Sequence, residues 1–119
     1  MPRILGPWKV ALIDISESTT LSAAVDLENE CADVLVLIPT ITSSTVTLTI
    51  SNDNSTFYPL HEFVPIGNSN SITNYPVITT AAVTSLAIVF HIGGARWIKV
   101  LCGSAQTTTD KTFYVRGIK

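Results

Sequence analysis

From Thr45 to Ser51 the chain reads Thr-Val-Thr-Leu-Thr-Ile-Ser, sending Val46, Leu48 and Ile50 to one side and hydroxyls to the other. A period of two matches the pleat of a strand and cannot lay an apolar stripe along a helix. The segment is therefore a half-buried antiparallel strand. Leu21, Ala23, Val25 and Leu27 repeat the pattern more weakly. Val34 to Ile38 is a short continuous apolar run, expected to be a strand covered on both faces. Leu86 to Ile92 and Trp97 to Cys102 form two further strands, with Gly93-Gly94 expected as the turn between them. Trp8 to Ile15 opens the chain and Thr112 to Ile118 closes it; Phe57 to Leu60 and Pro76 to Thr80 are weaker strand candidates.

Polar breakers separate these runs. Asn52-Asp53-Asn54-Ser55 is a tight turn whose side chains bond locally and tolerate left-handed backbone angles. Gly67 to Ser71 reads as a loop tip, and Ser104 to Asp110 as the longest exposed loop. No window holds a convincing amphipathic helix. Many short strands at fairly regular spacing predict an all-β fold, an antiparallel β-sandwich of jelly-roll type. The 119 residues suit one domain spanning 1–119, with Met1-Pro2-Arg3-Ile4-Leu5-Gly6-Pro7 as an extended N-terminal arm.

The chain is 46% hydrophobic and only 13% charged, so Ser, Thr and Asn must wet much of its surface. Either a threonine-rich surface faces solvent, or part of the surface is buried against other subunits. A formal net charge of −2 argues against nucleic acid as a partner, because that binding is driven by a positive field. Acids from Asp14 to Asp33 stand apart from bases between Arg96 and Lys119, which balance within one fold or between copies. Cys31 and Cys102 have no metal-ligand spacing and read as buried small hydrophobes. No segment has the form of a signal peptide, and no apolar run approaches the ~20 residues of a membrane span. Synthesis and use without Sec export are expected, with no membrane partner.

Catalytic signatures are missing. His61 and His91 are the only histidines, and neither stands in a nucleophile–base motif. Glu28 and Glu30 look like a solvated face. Asn52-Asp53-Asn54 carries oxygen ligands but lacks the glycine and the bidentate glutamate of a calcium loop. There is no phosphate-cradling glycine loop, so no metal or cofactor is expected, and the residues favour a structural or binding protein over an enzyme. Trp97 alternates with Ile98 and must share a face with Lys99. It is expected to anchor a core or an interface, with a sugar-stacking platform as the alternative.

Two segments carry a resemblance. Ser51-Asn52-Asp53-Asn54-Ser55-Thr56-Phe57-Tyr58-Pro59-Leu60 resembles the S-x-D-G-x-x-F-x-x-L hairpin of small β-sandwich proteins from tailed-bacteriophage structural gene clusters. Ala95-Arg96-Trp97-Ile98-Lys99-Val100, Gln106 and Asp110-Lys111-Thr112-Phe113 resemble their A-R-x-I-K-V … Q … D-R-x-F ending. The likeness runs from about Thr20 to Arg116, with Asn54 where that family favours glycine. It implies a virion component, most simply a capsid decoration (cement) protein made in the host cytoplasm, and transfers no catalytic residue. The implied partners are the major capsid protein or other virion proteins and further copies of the chain, a trimer being natural at three-fold positions. A carbohydrate-binding accessory protein used in adhesion is the alternative, with a glycan as ligand. The expected contacts lie on the N-terminal arm (Arg3, Ile4, Leu5, Trp8), the loop tip (Asn68, Asn70) and the late loop (Gln106, Asp110).

Overall fold

The computed structural model describes residues 4–65, 72–82 and 85–119. Every regular element is a strand: β1 (Leu5–Ile13), β2 (Val25–Ile38), β3 (Ser44–Ser51), β4 (Tyr58–Pro59), β5 (His61–Pro65), β6 (Ile72–Pro76), β7 (Thr79–Ala81), β8 (Leu86–Cys102) and β9 (Lys111–Ile118). Seven of them form one antiparallel sheet in the order β1-β9-β2-β8-β3-β4, with β7 also on β3, while β5 and β6 pair as a separate ribbon. The expected all-β antiparallel fold is what the chain adopts.

The architecture follows from two long strands. β2 has 14 residues and β8 has 17, and both are interrupted near their middles. Their register slips between Asp26 and Cys31, and again between Cys31 and Asp33. Beyond the slips, Asp33–Ile38 pairs with Leu86–His91 on one side and with β9 on the other. Before them, Val25–Asp26 pairs with Trp97–Ile98, and the same half of β8 pairs with β3. The two strands thus leave one half-sheet and enter another through bulges, the standard way to turn a sheet corner. Two layers therefore arise from one folded sheet. The amide of Ala23 donates to the Leu12 carbonyl at 3.1 Å, fastening the segment before β2 to β1.

Inward-facing residues of both halves meet in one core. Val34, Val36, Phe90, Phe113 and Val115 come from one layer, and Val46, Leu48, Ile98 and Val100 from the other, all at most 1% exposed. With no helix among the described residues, the folded sheet itself shields this face.

Gly93-Gly94 is not the expected hairpin turn. Both glycines have positive φ (64° and 98°) inside a continuous β8, where they make the corner. A glycine pair supports either outcome; the 4-to-8-residue runs flanking it hid the fact that they were one strand. Nothing lies within 4 Å of a Cβ built on Gly94, so space does not limit it, but its backbone angle does. Gly94→Ala is expected to cost about 1–2 kcal/mol, seen as a lower urea midpoint at unchanged slope.

Other expectations shift similarly. Leu21 makes only an isolated bridge to Leu101, and β2 begins at Val25. Of the arm residues, Leu5–Pro7 belong to β1, and the Ile4 carbonyl accepts from the Lys119 amide at 3.0 Å. The first-half sheet has absorbed them; Arg3 lies outside the described residues.

Candidate interaction surfaces

The run Val34–Ile38 is covered on one face only, which corrects the expectation of burial on both. Val34, Val36 and Ile38 point into the core, whereas Leu35 is half-buried and Leu37 is 36% exposed. Register extends this outward face across four strands. Trp8 stands opposite Arg116, Arg116 opposite Leu35, and Leu35 opposite Val89. The next row is Val10, Tyr114, Leu37 and Ala87. Trp8, Val10, Tyr114 and Val89 are 43%, 51%, 49% and 46% exposed, so the face is apolar and open to solvent. At ~4.8 Å between strands and ~7 Å between rows, its two rows on four strands cover roughly 270 Å², close to the few hundred Å² at which exposed apolar patches on single chains are often functional.

Its charges are few and engaged. The Arg116 guanidinium lies 4.7 Å from the centre of the Trp8 ring, and its Nε donates to the Gly6 carbonyl at 2.8 Å. At the end of the face, His91 Nδ1 meets Asp33 Oδ1. The opposite layer is different: on β3 Thr45 is exposed, Thr47 is half-buried and donates through Oγ1 to the Val77 carbonyl, and Thr49 is buried with its hydroxyl unpaired among the described residues. The exposed apolar residues thus gather on one layer, while only part of the β3 threonine row on the other reaches solvent.

A second feature lies at the sheet corner. A cleft of about 440 Å³ is lined by Glu28, Asn29, Glu30, Asn52, Arg96 and Trp97, with Gly94 at its margin. A neighbouring cleft of about 290 Å³ shares Asn52 and Gly94 and continues past Tyr58, Ile50 and Ile92. Arg96 grips Asp26 through two bonds of 2.8 and 3.0 Å and sits 4.7 Å over the Trp97 ring. That grip, then the Glu28 amide, holds the Asp26 carboxyl below the usual carboxylate range. A depressed folded value means that the pair's contribution is complete above the unfolded value near ~3.9 and is lost as pH falls through the folded one. Arg96→Gln is expected to raise the Asp26 midpoint in an NMR titration.

Gln106 is not a contact residue. It is 1% exposed; its Oε1 accepts from the Thr42 amide at 2.8 Å and its Nε2 donates to the carbonyls of Thr42 and Ser104 at 3.0 and 3.2 Å. A primary amide offers both a donor and an acceptor, so it can stand in for a missing strand pair. Gln106→Ala strands the Thr42 backbone groups and is expected to cost about 2–3 kcal/mol, measured by denaturant unfolding. Asp110 accepts from the Ile15 amide at 3.0 Å, tying the late loop to the end of β1. Asn68 and Asn70 lie outside the described residues. Ile4, Leu5 and Trp8 are exposed, and Trp8 joins the apolar face.

The resembling motifs hold the fold together. Asn54 has φ 59°, the left-handed angle that glycine would otherwise supply, and Ser51 Oγ accepts from its amide at 3.0 Å. Asp53 Oδ1 accepts from Ser55 and Thr56, which lowers its carboxyl below the usual range. Trp97 lies half-buried on the outward side, opposite in sense to the buried Ile98. Cys31 and Cys102 are buried free thiols, and burial pushes both upward. Among the described residues no group of three His, Cys, Asp or Glu side chains has metal-holding geometry, and no helix is long and apolar enough to cross a membrane.

No family model matches the chain, and no curated protein does. A solved structure, that of the SPBc2 prophage-derived protein YomS, resembles it with a TM-score of 0.51 at 12% identity, covering 98% of each chain. The likeness is one of fold.

Proposed function

We propose that this chain is a structural component of a tailed-phage virion, a decoration (cement) protein that stabilises the particle through contacts between subunits. The observation that carries the reading is the apolar outer face of the β1-β9-β2-β8 layer. A protein that works alone is expected to alternate polar residues onto that side; this one presents Trp8, Val10, Leu37, Val89 and Tyr114 instead. The motif resemblance and the fold shared with a prophage-derived protein support a phage origin.

Such a protein acts by burying area rather than by transforming molecules, and it needs no catalytic group. A stable contact takes roughly 800 Å² per partner, about three times the face alone. The rim must therefore join in, and Ile4 and Leu5, 63% and 55% exposed, offer further apolar area at the start of β1. Repetition around a three-fold axis multiplies a modest contact, which favours a trimer seated on the major capsid protein. Sedimentation of the purified chain with expanded capsids, followed by electron microscopy, tests this. Stoichiometric density at capsomer junctions is the expected result; a monomer that never sediments with capsids would overturn it.

A further inference from the structure

We propose that the trough at the sheet corner binds a neutral pyranose sugar, presented as one or two rings of a glycan. The inference does not rest on the virion reading, since the trough and the apolar face are built from different residues.

The bulges make the trough. Glu28 holds φ 70°, which costs a residue with a β-carbon, and Gly94, which lines the same cleft, holds φ 98°. Strain of this kind survives where surrounding structure enforces it and gathers at binding sites. The Glu28 amide donates to Asp26 Oδ1 at 2.7 Å and its carboxylate pairs with Lys9. Arg96 neutralises Asp26. Both acids are thus spent on the corner itself.

What remains uncommitted has the chemistry of a sugar. The side chains of Asn29, Glu30 and Asn52 enter no hydrogen bond with any described residue, yet all line the cleft. Amides donate and accept, and carboxylates accept, which is what a rim of hydroxyls requires. The indole of Trp97 lines one basin and Tyr58, 58% exposed, lines the other, with Asn52 and Gly94 shared between the two. A pyranose combines C–H faces that pack on such rings with an equatorial polar edge that meets the amides. Arg96, clamped by Asp26, lies over one face of the indole and fixes it, so Tyr58 is the ring more open to a sugar face and Trp97 meets the sugar with what Arg96 leaves uncovered.

Competing ligands fit less well. Glu28 and Glu30 disfavour an anion, and a bare cation finds no cluster of three carboxylate, thiol or imidazole groups among the described residues. The combined space, about 290 and 440 Å³, falls in the range of small-ligand sites and is large enough for one or two rings.

The chain has two tryptophans, so Trp8→Phe leaves Trp97 as the sole indole reporter. Methyl glycosides of glucose, galactose, mannose and N-acetylglucosamine are titrated separately. At least one is expected to change Trp97 emission saturably, with a dissociation constant on the order of 1–10 mM. Asn52→Ala and Glu30→Gln are each expected to weaken it about tenfold or more. Where Trp8→Phe disturbs folding, NMR of the unaltered chain gives the same reading: the Trp97 indole N–H signal shifts and the Trp8 signal does not. No saturable response to any of the four sugars up to about 100 mM, or a response that Asn52→Ala leaves unchanged, overturns the proposal. Either failure leaves capsid binding to stand or fall on its own experiment.

Discussion

Lysines at Leu37 and Val89 are expected to abolish self-association and capsid binding while leaving the fold intact. Both side chains are substantially exposed, at 36% and 46%, so the substitutions bury nothing new in the single chain. Changes at such sites shift stability by only about 0.5 kcal/mol. In a dry contact the effect reverses in scale. Each ammonium would have to leave water beside Arg116, itself a cation, and the carboxylate in the adjoining row, Asp33, is already engaged by His91. An unpaired buried charge costs about 3–5 kcal/mol, so affinity is expected to fall on the order of 100-fold or more. Thr45→Lys, at an exposed position on the other layer, is the control and should leave assembly unchanged. Analytical ultracentrifugation and capsid co-sedimentation of the three proteins read the outcome. Unaltered assembly in the double variant would remove the face from the contact.

Phe113→Ala is expected to bring the chain close to unfolding at physiological temperature. Phe113 is fully buried on β9, opposite Ala11 of β1, and is among the largest enclosed side chains. Truncating a buried phenylalanine costs about 3–5 kcal/mol, against a total of about 5–15 for a domain of this class. Its neighbours cannot close the gap cheaply, because they sit on strands held in register by the ladder on both sides. A fall in melting temperature on the order of 10–20 °C follows, measurable by circular dichroism. Tyr114→Ala, the next residue along but directed outward, should shift it far less. Equal losses at the two positions would contradict the inward–outward assignment of β9.

The contrast between adjacent residues shows where sequence reading succeeded. Val46, Leu48 and Ile50 alternate with threonine, and the structure buries the first two fully, while of the threonines Thr45 is exposed, Thr47 half-buried and Thr49 covered. Ile98 and Val100 go inward with Trp97 and Lys99 outward, as their spacing demanded. The Asn52–Ser55 turn formed with its left-handed residue in place. In each case the information is local, carried by the pleat or by a side chain bonding its own backbone.

The misses are equally instructive. The apolar residues of Val34–Ile38 were expected to be covered on both faces, because a strand cannot be apolar on both sides at no cost in a monomer. They are covered on one, and the discrepancy is the apolar face itself; its signal was in the sequence under another interpretation. Gln106 was placed among the contacts because polar loops usually face solvent, yet this amide turns inward to replace a missing backbone partner. Asn29, Asn52 and Trp97 lie tens of residues apart, and no pattern along the chain unites them.

By itself, the alternation of residue types determined that this chain builds antiparallel strands, which side of most strands faces the core, and where its tightest turn lies. Only the tertiary structure decided that Gly93-Gly94 bends one strand rather than joining two, that a single sheet folds over to make both layers, and that four strands align their apolar outer residues into one surface. The reason is physical: side-chain periodicity is set within a strand by its own backbone, whereas register and corners are set by whichever distant strand supplies the hydrogen bonds.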